Sequence, residues 1–453
     1  MNRKFRTADY EETLNLKVSL RDVLPPEHLA RFTVEIVSEL ELSKIYQQYK
    51  DEGAPPYAPE VMLSLLFYGY ATGVFSSRQM ERATHESIPF RFIAGDMHPD
   101  HDTIATFRKR FLPEIQELFV QILLIAQAMG MLKLGNISLD GSKIHADASK
   151  SKAMSHKRLL AIEGRLQQQV AELMALAETA DKSLIPEKMN INDEIERRKQ
   201  RLSQLAEAKK VLEQRAQARY EAEKAEYEEK MGQREAKAAA KGKKPGGRPP
   251  QPPTAGPRDK DQYNFTDPDS AIMKNPNNKG FDQHYNTQVA VDQESLLIVA
   301  PTLSNHPTDR QQALPTVDAI PATLGTPPAA ALDAGYWSEA NVNGLKARGI
   351  DPYIATGREP HNQGWQTYFA QQPEPPPVNA SAIEKMAYKL RTEIGQAIYR
   401  LRKCTVEPVI GIIKEVLGFR QFSLRGLPAA SGEWTLVCLA FNLKRLHTLR
   451  FGS

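Results

Sequence analysis

Residues 156 to 240 are rich in Ala, Glu, Lys, Arg and Gln and hold almost no Gly or aromatic residues, yet both flanks of this stretch read as β-strand. A chain built this way has a discontinuous α/β domain, with a helical insertion splitting its strands. Within the insertion, Ile162, Leu166, Val170, Leu173 and Leu176 fall on one helical face, and Ile195, Leu202, Leu205, Leu212 and Ala216 on another. SLIPEKMNIND breaks the two runs, so an antiparallel helical hairpin or short coiled coil is expected.

The flanks set the rest of the plan. Residues 1 to 132 carry apolar residues at three- and four-residue spacing, as in APEVMLSLLFYGYATGV and PEIQELFVQILLIAQAMGM, which predicts an all-α N-terminal domain. Residues 133 to 155 include NISLDGSKIHADASK, a strand ending in a turn at Gly141 with Asp140 at its end. Residues 241 to 261 are a basic Pro/Gly-rich linker that cannot build a core and is expected to be poorly ordered. From 262 to 453, HYNTQVAVD and LLIVAPTLS suggest a hairpin, and AAALDAGY, SEANVNGLKARG and DPYIATG alternate strand, helix and strand. Helices return from Ser381. A mixed sheet flanked by helices follows.

Several classes drop out. No run of eighteen or more apolar residues occurs and the first twenty residues have no apolar signal core, so a cytoplasmic protein with no membrane role is expected. With only Cys404 and Cys438, neither a disulfide framework nor a four-cysteine zinc site is available. Walker A, GxGxxG-after-strand and GxSxG patterns are missing. From Ser381 onward there are twelve Lys plus Arg against five Glu and no Asp, a balance that suits a polyanion but equally a solvated face.

Three acids are candidates for chemistry. Asp140 and Asp333 each sit at a strand end, where ligands bind in open α/β sheets, although turn or capping duties explain either one alone. Glu407 lies in a basic helical run, IYRLRKCTVEPVIGIIKE. On an ideal helix, Arg400, Lys403 and Lys414 fall within about 40° of it. Gathered by one sheet and one helix, these acids would form an oxygen-only site suited to Mg²⁺ or Mn²⁺. The group His98, Asp100, His101 and Asp102 is read as a turn and helix N-cap. Pro408, directly behind Glu407, predicts a kink or break close to Cys404 through Glu407.

Taken in order, the blocks ISLDGSKIHADASKSKAMSHKR, ALDAGYWSEAN and YRLRKCTVEPVIGIIKEVLGFRQFSLRG resemble the three catalytic blocks of bacterial insertion-sequence DDE transposases whose catalytic domain carries a helical insertion. APPYAPEVMLSLLFYGYATGVFSSRQMER and HDTIATFRKRF resemble that family's N-terminal helices. The resemblance implies a ribonuclease H-like core in which Asp140, Asp333 and Glu407 bind two divalent metal ions. It implies that the protein cuts the ends of its element, joins them to target DNA, and acts as a homodimer or higher oligomer on DNA, at the nucleoid. It also assigns DNA contacts to Tyr399, Arg402, Lys403 and Lys414, through a Tyr-Arg-Glu-Lys signature. The spacing departs from that signature: Arg402 to Glu407 is one residue too long, which leaves open whether Arg402 or Lys403 grips phosphate. A catalytically degenerate, DNA-binding copy is the alternative; a purely structural coiled-coil protein leaves the βα region unexplained.

Overall fold

The computed structural model describes residues 19–49, 55–179, 190–241, 248–275, 280–357, 374–377 and 379–452. The chain forms two compact units, Met1–Ile144 with Tyr285–Ser453, and His145–His284. Its strands are β1 (Ile137–His145), β2 (Ala153–Ser155), β3 (Gln262–Asn264), β4 (Ala271–Lys274), β5 (Phe281–Asp292), β6 (Ile298–Ser304), β7 (Ala329–Leu332) and β8 (Asp351–Ile354).

In the first unit the sheet runs β6-β5-β1-β7-β8. β6 is antiparallel to β5, and β7 and β8 are parallel to β1 and to each other. The β5–β6 hairpin is the one expected from HYNTQVAVD and LLIVAPTLS. β7 is AAAL with every side chain buried, as a strand covered on both faces requires. Ser338 caps the helix Glu339–Ala347 by accepting from the Asn341 N–H, and a capping box of Ser381 and Glu384 opens Ala382–Arg391. This mixed sheet with flanking helices is the ribonuclease H-like arrangement expected.

The N-terminal region is all helical, from Leu20–Val23 to Leu112–Ala128. Proline enters the first turn of Pro59–Ala71, Ile88–Ala94 and Leu112–Ala128, where its missing N–H costs nothing. Asp100 caps His101–Arg110 by accepting from the N–H and hydroxyl of Thr103, so the His98–Asp102 group is a cap as read. The C-terminal helix Leu427–Phe451 is the shared support: Pro59–Ala71, Leu112–Ala128 and β6 all pack on it. Its burial is nearly complete from Gly432 to Leu443, which explains why its apolar residues show no single stripe.

The second unit holds the helices His156–Thr179 and Ile191–Lys241, packed around Leu159, Leu205, Ala208 and Leu212. β2 and β3 form a two-stranded antiparallel ribbon, and β4 pairs with the start of β5. The break between the helices falls largely on 180–189, outside the described residues. Leu176, expected on the packed face, is 49% exposed: the buried contacts concentrate at the other end of its helix. The linker is also more tied down than its composition suggests where it is described. Arg219 donates to Asp261 (2.9 Å) and to the Gly256 carbonyl (3.2 Å), and Arg258 donates to Glu223 (2.9 Å). Linker residues 242–247 lie outside the described residues.

Two further expectations fail. β1 does not end at Asp140 but runs on through Gly141 to His145, so there is no turn at that Asp-Gly pair. The reason is tertiary: a β-carbon at Gly141 would stand 2.2 Å from the Gln288 side-chain nitrogen, so this glycine admits a neighbour's side chain rather than a bend. Pro408 does not break its helix, which continues from Glu393 to Gly411. A single π-type turn, Ile412–Val416, follows it instead.

Candidate active site

The pairing register of β1 and β7 brings the two aspartates side by side. Ile137, Ser138 and Leu139 stand opposite Ala330, Ala331 and Leu332, so Asp140 and Asp333 are the next residue on each of two parallel neighbours. Asp333 ends its strand and accepts from the Gly335 N–H (2.8 Å), capping the short turn Ala334–Tyr336. Asp140 accepts from the Gly141 N–H (2.8 Å).

Glu407 arrives on the helix Glu393–Gly411, which is pinned to β1 beside Asp140. Thr405 meets the Ser138 hydroxyl at 2.9 Å, and Gln293 donates both to that hydroxyl (2.9 Å) and to the Ile398 carbonyl (3.2 Å). Arg402, one helical turn before Glu407, is buried and spans the gap between the acids. Its guanidinium donates to Asp140 Oδ2 (3.1 Å) and to Glu407 Oε1 (2.8 Å). Burial pushes the Asp140 carboxyl up to about 6, Arg402 opposes this, and the charges of Asp333 and Glu407 add to it. Burial also works against the Arg402 charge, but Asp140, Tyr399, Glu407 and Asp333 outweigh it and leave its pKa raised. The three acids therefore sense one another, with Arg402 as their common counter-ion.

The sequence-derived cations and tyrosine separate into different environments. Lys403 is exposed on the same helix, whereas Arg402 is turned into the acids. Lys414, in the π-type turn, donates to the Ser142 hydroxyl (3.0 Å) at the site's edge, and burial lowers its pKa. Tyr399 does not face outward for a DNA strand: it is packed with Ala329, Ala331, Tyr353 and Ala355 beneath the sheet, because its helix turns that face to β7 and β8. Its ring centroid lies 5.9 Å from the Arg402 guanidinium carbon, so it supports that side chain from below.

Sequence reasoning missed Gln288, Asp309 and Tyr336, which border the same acids. Asp309 opens the short 3-10 turn Asp309–Gln311 after a Pro-Thr pair, and nothing local marks it off from any other acid at a turn start. Tyr336 was visible in ALDAGYW only as an aromatic near Asp333.

Among the described residues, no group of three or more His, Cys, Asp or Glu side chains is placed to hold a metal ion. Arg402 fills the space between Asp140 and Glu407. The donor set still suits a hard divalent cation, being all carboxylate oxygen, and a positive charge already occupies the position between two of its members.

Comparison with known families decides the identity. Residues 18–110 match the family described as Transposase domain (DUF772), and residues 254–443 match Transposase DDE domain. Together the matches span more than half of the chain, and the second includes Asp333, Arg402 and Glu407.

The chain belongs to the insertion-sequence DDE transposases.

In this transposase, Asp140 lies in neither matched segment, because β1 and the helical insertion occupy the interval between them. Members of the family act on DNA and use divalent metal ions. No curated protein and no solved structure matches the transposase. No single helix among its described residues is long and apolar enough to cross a membrane.

Proposed function

We propose that this transposase cuts the ends of its element and joins them to target DNA by metal-dependent phosphoryl transfer, with Asp140, Asp333 and Glu407 as the metal-holding acids. The observation that carries the reading is the convergence of the three: matching positions on the neighbouring strands β1 and β7 supply two, and Arg402 ties the first to Glu407. Two divalent ions, Mg²⁺ or Mn²⁺, would supply charge at the attacked phosphate and a nucleophile available at neutral pH. Around them, β1 and β7 fix the spacing of the aspartates, and the helix Glu393–Gly411 presents Glu407 from one side. Lys403 and Lys414 hold the phosphate backbone, which positions the strand without reading its sequence. Arg402 stabilises the acids while the metal is away and turns to DNA phosphate when it is displaced.

Residues 1 to 132 would serve end recognition or dimerisation, and the transposase would assemble as a homodimer or higher oligomer on DNA, in the cytoplasm at the nucleoid. The test is to incubate purified protein with DNA carrying the element's ends and Mg²⁺. Asp140→Asn, Asp333→Asn and Glu407→Gln are each expected to reduce cleavage and joining below detection while retaining DNA binding. Full activity in any one removes that residue from the site, and wild-type binding without nicking supports a catalytically degenerate copy.

A further inference from the structure

Gln288 lies on β5, is almost fully buried, and points its amide at β1 beside Asp140. A β-carbon at Gly141 would stand 2.2 Å from its Nε2 and 3.0 Å from its Oε1, so the amide occupies the space an ordinary residue at 141 would fill. Both amide hydrogens have acceptors: Nε2 donates to Asp309 Oδ1 (2.8 Å) and to Asn286 Oδ1 (3.1 Å). Its Oε1 accepts from the Tyr336 hydroxyl. Trp434 donates to its main-chain carbonyl (3.2 Å), which fixes the strand at this point.

Each partner of that amide leads back to the acids. Tyr336 ends the turn that Asp333 caps, and its hydroxyl is held protonated by burial and by the nearby charges of Asp309, Asp140 and Asp333. A carboxamide oxygen has no hydrogen, so the hydroxyl donates to Gln288 Oε1. Asp309 is also held by Asn286 (2.8 Å), and Asn341 ties the Arg310 carbonyl to the Tyr336 carbonyl (2.7 and 2.6 Å). Asp333 Oδ1 and Asp309 Oδ2 lie 3.0 and 3.7 Å from the point where a β-carbon on Gly335 would stand. One carboxamide thus touches the backbone next to Asp140, the turn after Asp333, and a fourth carboxylate beside Asp333.

We propose that Gln288 is a positioning residue of the transposase: by holding the Tyr336 hydroxyl and the Asp309 carboxylate against Gly141, it orients the carboxylates of Asp140 and Asp333, whose strand spacing β1 and β7 fix. The proposal rests on the metal-holding role of those two acids. Groups that orient metal-holding side chains typically change metal affinity by about 10- to 100-fold when removed. A residue that only stabilises the fold leaves the affinity of the folded protein unchanged.

The experiment measures Mn²⁺ binding to the full-length, DNA-free protein by calorimetry, together with thermal melting in EDTA, for wild type, Gln288→Met, Tyr336→Phe and Asp140→Asn. Gln288→Met keeps the length of the side chain without its hydrogen bonds. Tyr336→Phe removes one hydroxyl and serves should the first variant fail to fold. Both are expected to weaken Mn²⁺ binding about tenfold or more while still melting cooperatively. A folded variant of either kind that melts lower but binds Mn²⁺ as wild type does would overturn the proposal, leaving Gln288 as packing. If Asp140→Asn also binds as wild type does, the metal-site reading fails and takes the proposal with it. Loss in Asp140→Asn alone overturns only the positioning role.

Discussion

Without the Arg402 side chain, Asp140 and Glu407 would face one another with no cation between them. Hydrogen bonds to charged groups are worth roughly 1.5–3 kcal/mol each, and the half-exposed Glu407 partner gives the lower value because water screens it. Arg402→Met is therefore expected to lower the unfolding free energy in EDTA by about 2–3 kcal/mol, measured by urea denaturation. In Mg²⁺ part of the loss is expected to return, since an ion bound only to the folded state stabilises it. The same loss in EDTA and in Mg²⁺ would contradict competition between Arg402 and the metal for these acids. At this scale the sequence told only part of the story. The acidic, basic and aromatic residues of the site were legible as types at particular positions. The direction of Arg402 was not, because its partner Asp140 is 262 residues away in the chain, and one extra residue of spacing before Glu407 blurred the signature.

Pro408 belongs to the scale of the element. A proline inside a helix removes one main-chain bond and crowds the carbonyl four residues back, costing about 3 kcal/mol against alanine in an unadapted helix. Here the helix passes through it, held to β1 by Thr405 on the preceding turn and by Gln293, which bridges the Ile398 carbonyl of the helix to the Ser138 hydroxyl of β1. Pro408→Ala is expected to raise stability by about 1–2 kcal/mol, less than the full cost because the native geometry is already adapted. If the ring helps direct Glu407, end cleavage will fall in the same variant. A rise in melting temperature with unchanged cleavage would limit Pro408 to a cost in stability. The π-type turn after it aims Lys414 at Ser142, and such turns are frequent at functional sites. Neither feature is visible in a helical wheel, which assumes 3.6 residues per turn throughout. The N-cap expected in the His98–Asp102 group was legible because Asp100 finds its partner, Thr103, within three residues.

Across the first unit, the N-terminal helices and the C-terminal helix are joined through one buried carboxylate. Glu433 accepts from the Tyr70 hydroxyl (3.1 Å), the Ser423 N–H (2.9 Å) and the Leu424 N–H (3.0 Å), and Arg108 donates to the same tyrosine (2.9 Å). Glu433→Ala strands these donors and leaves Arg108 without its counter-charge, so a loss on the order of 3–5 kcal/mol is expected in urea denaturation. A loss under about 1 kcal/mol would mean the junction relies on apolar packing alone. The sequence by itself determined the helical N-terminal region, the strands β1 and β5 to β8 with the helices between them, and the place of the inserted helices, because periodicity, caps and composition act over a few residues; it offered Asp140, Asp333 and Glu407 as candidates. Tertiary structure alone decided that β1 continues through Gly141, that Tyr399 is buried, that Arg402 turns inward and that Gln288 joins Asp309 to Tyr336. Each of those depends on a side chain brought up from a distant part of the chain, where packing and charge outweigh local preference.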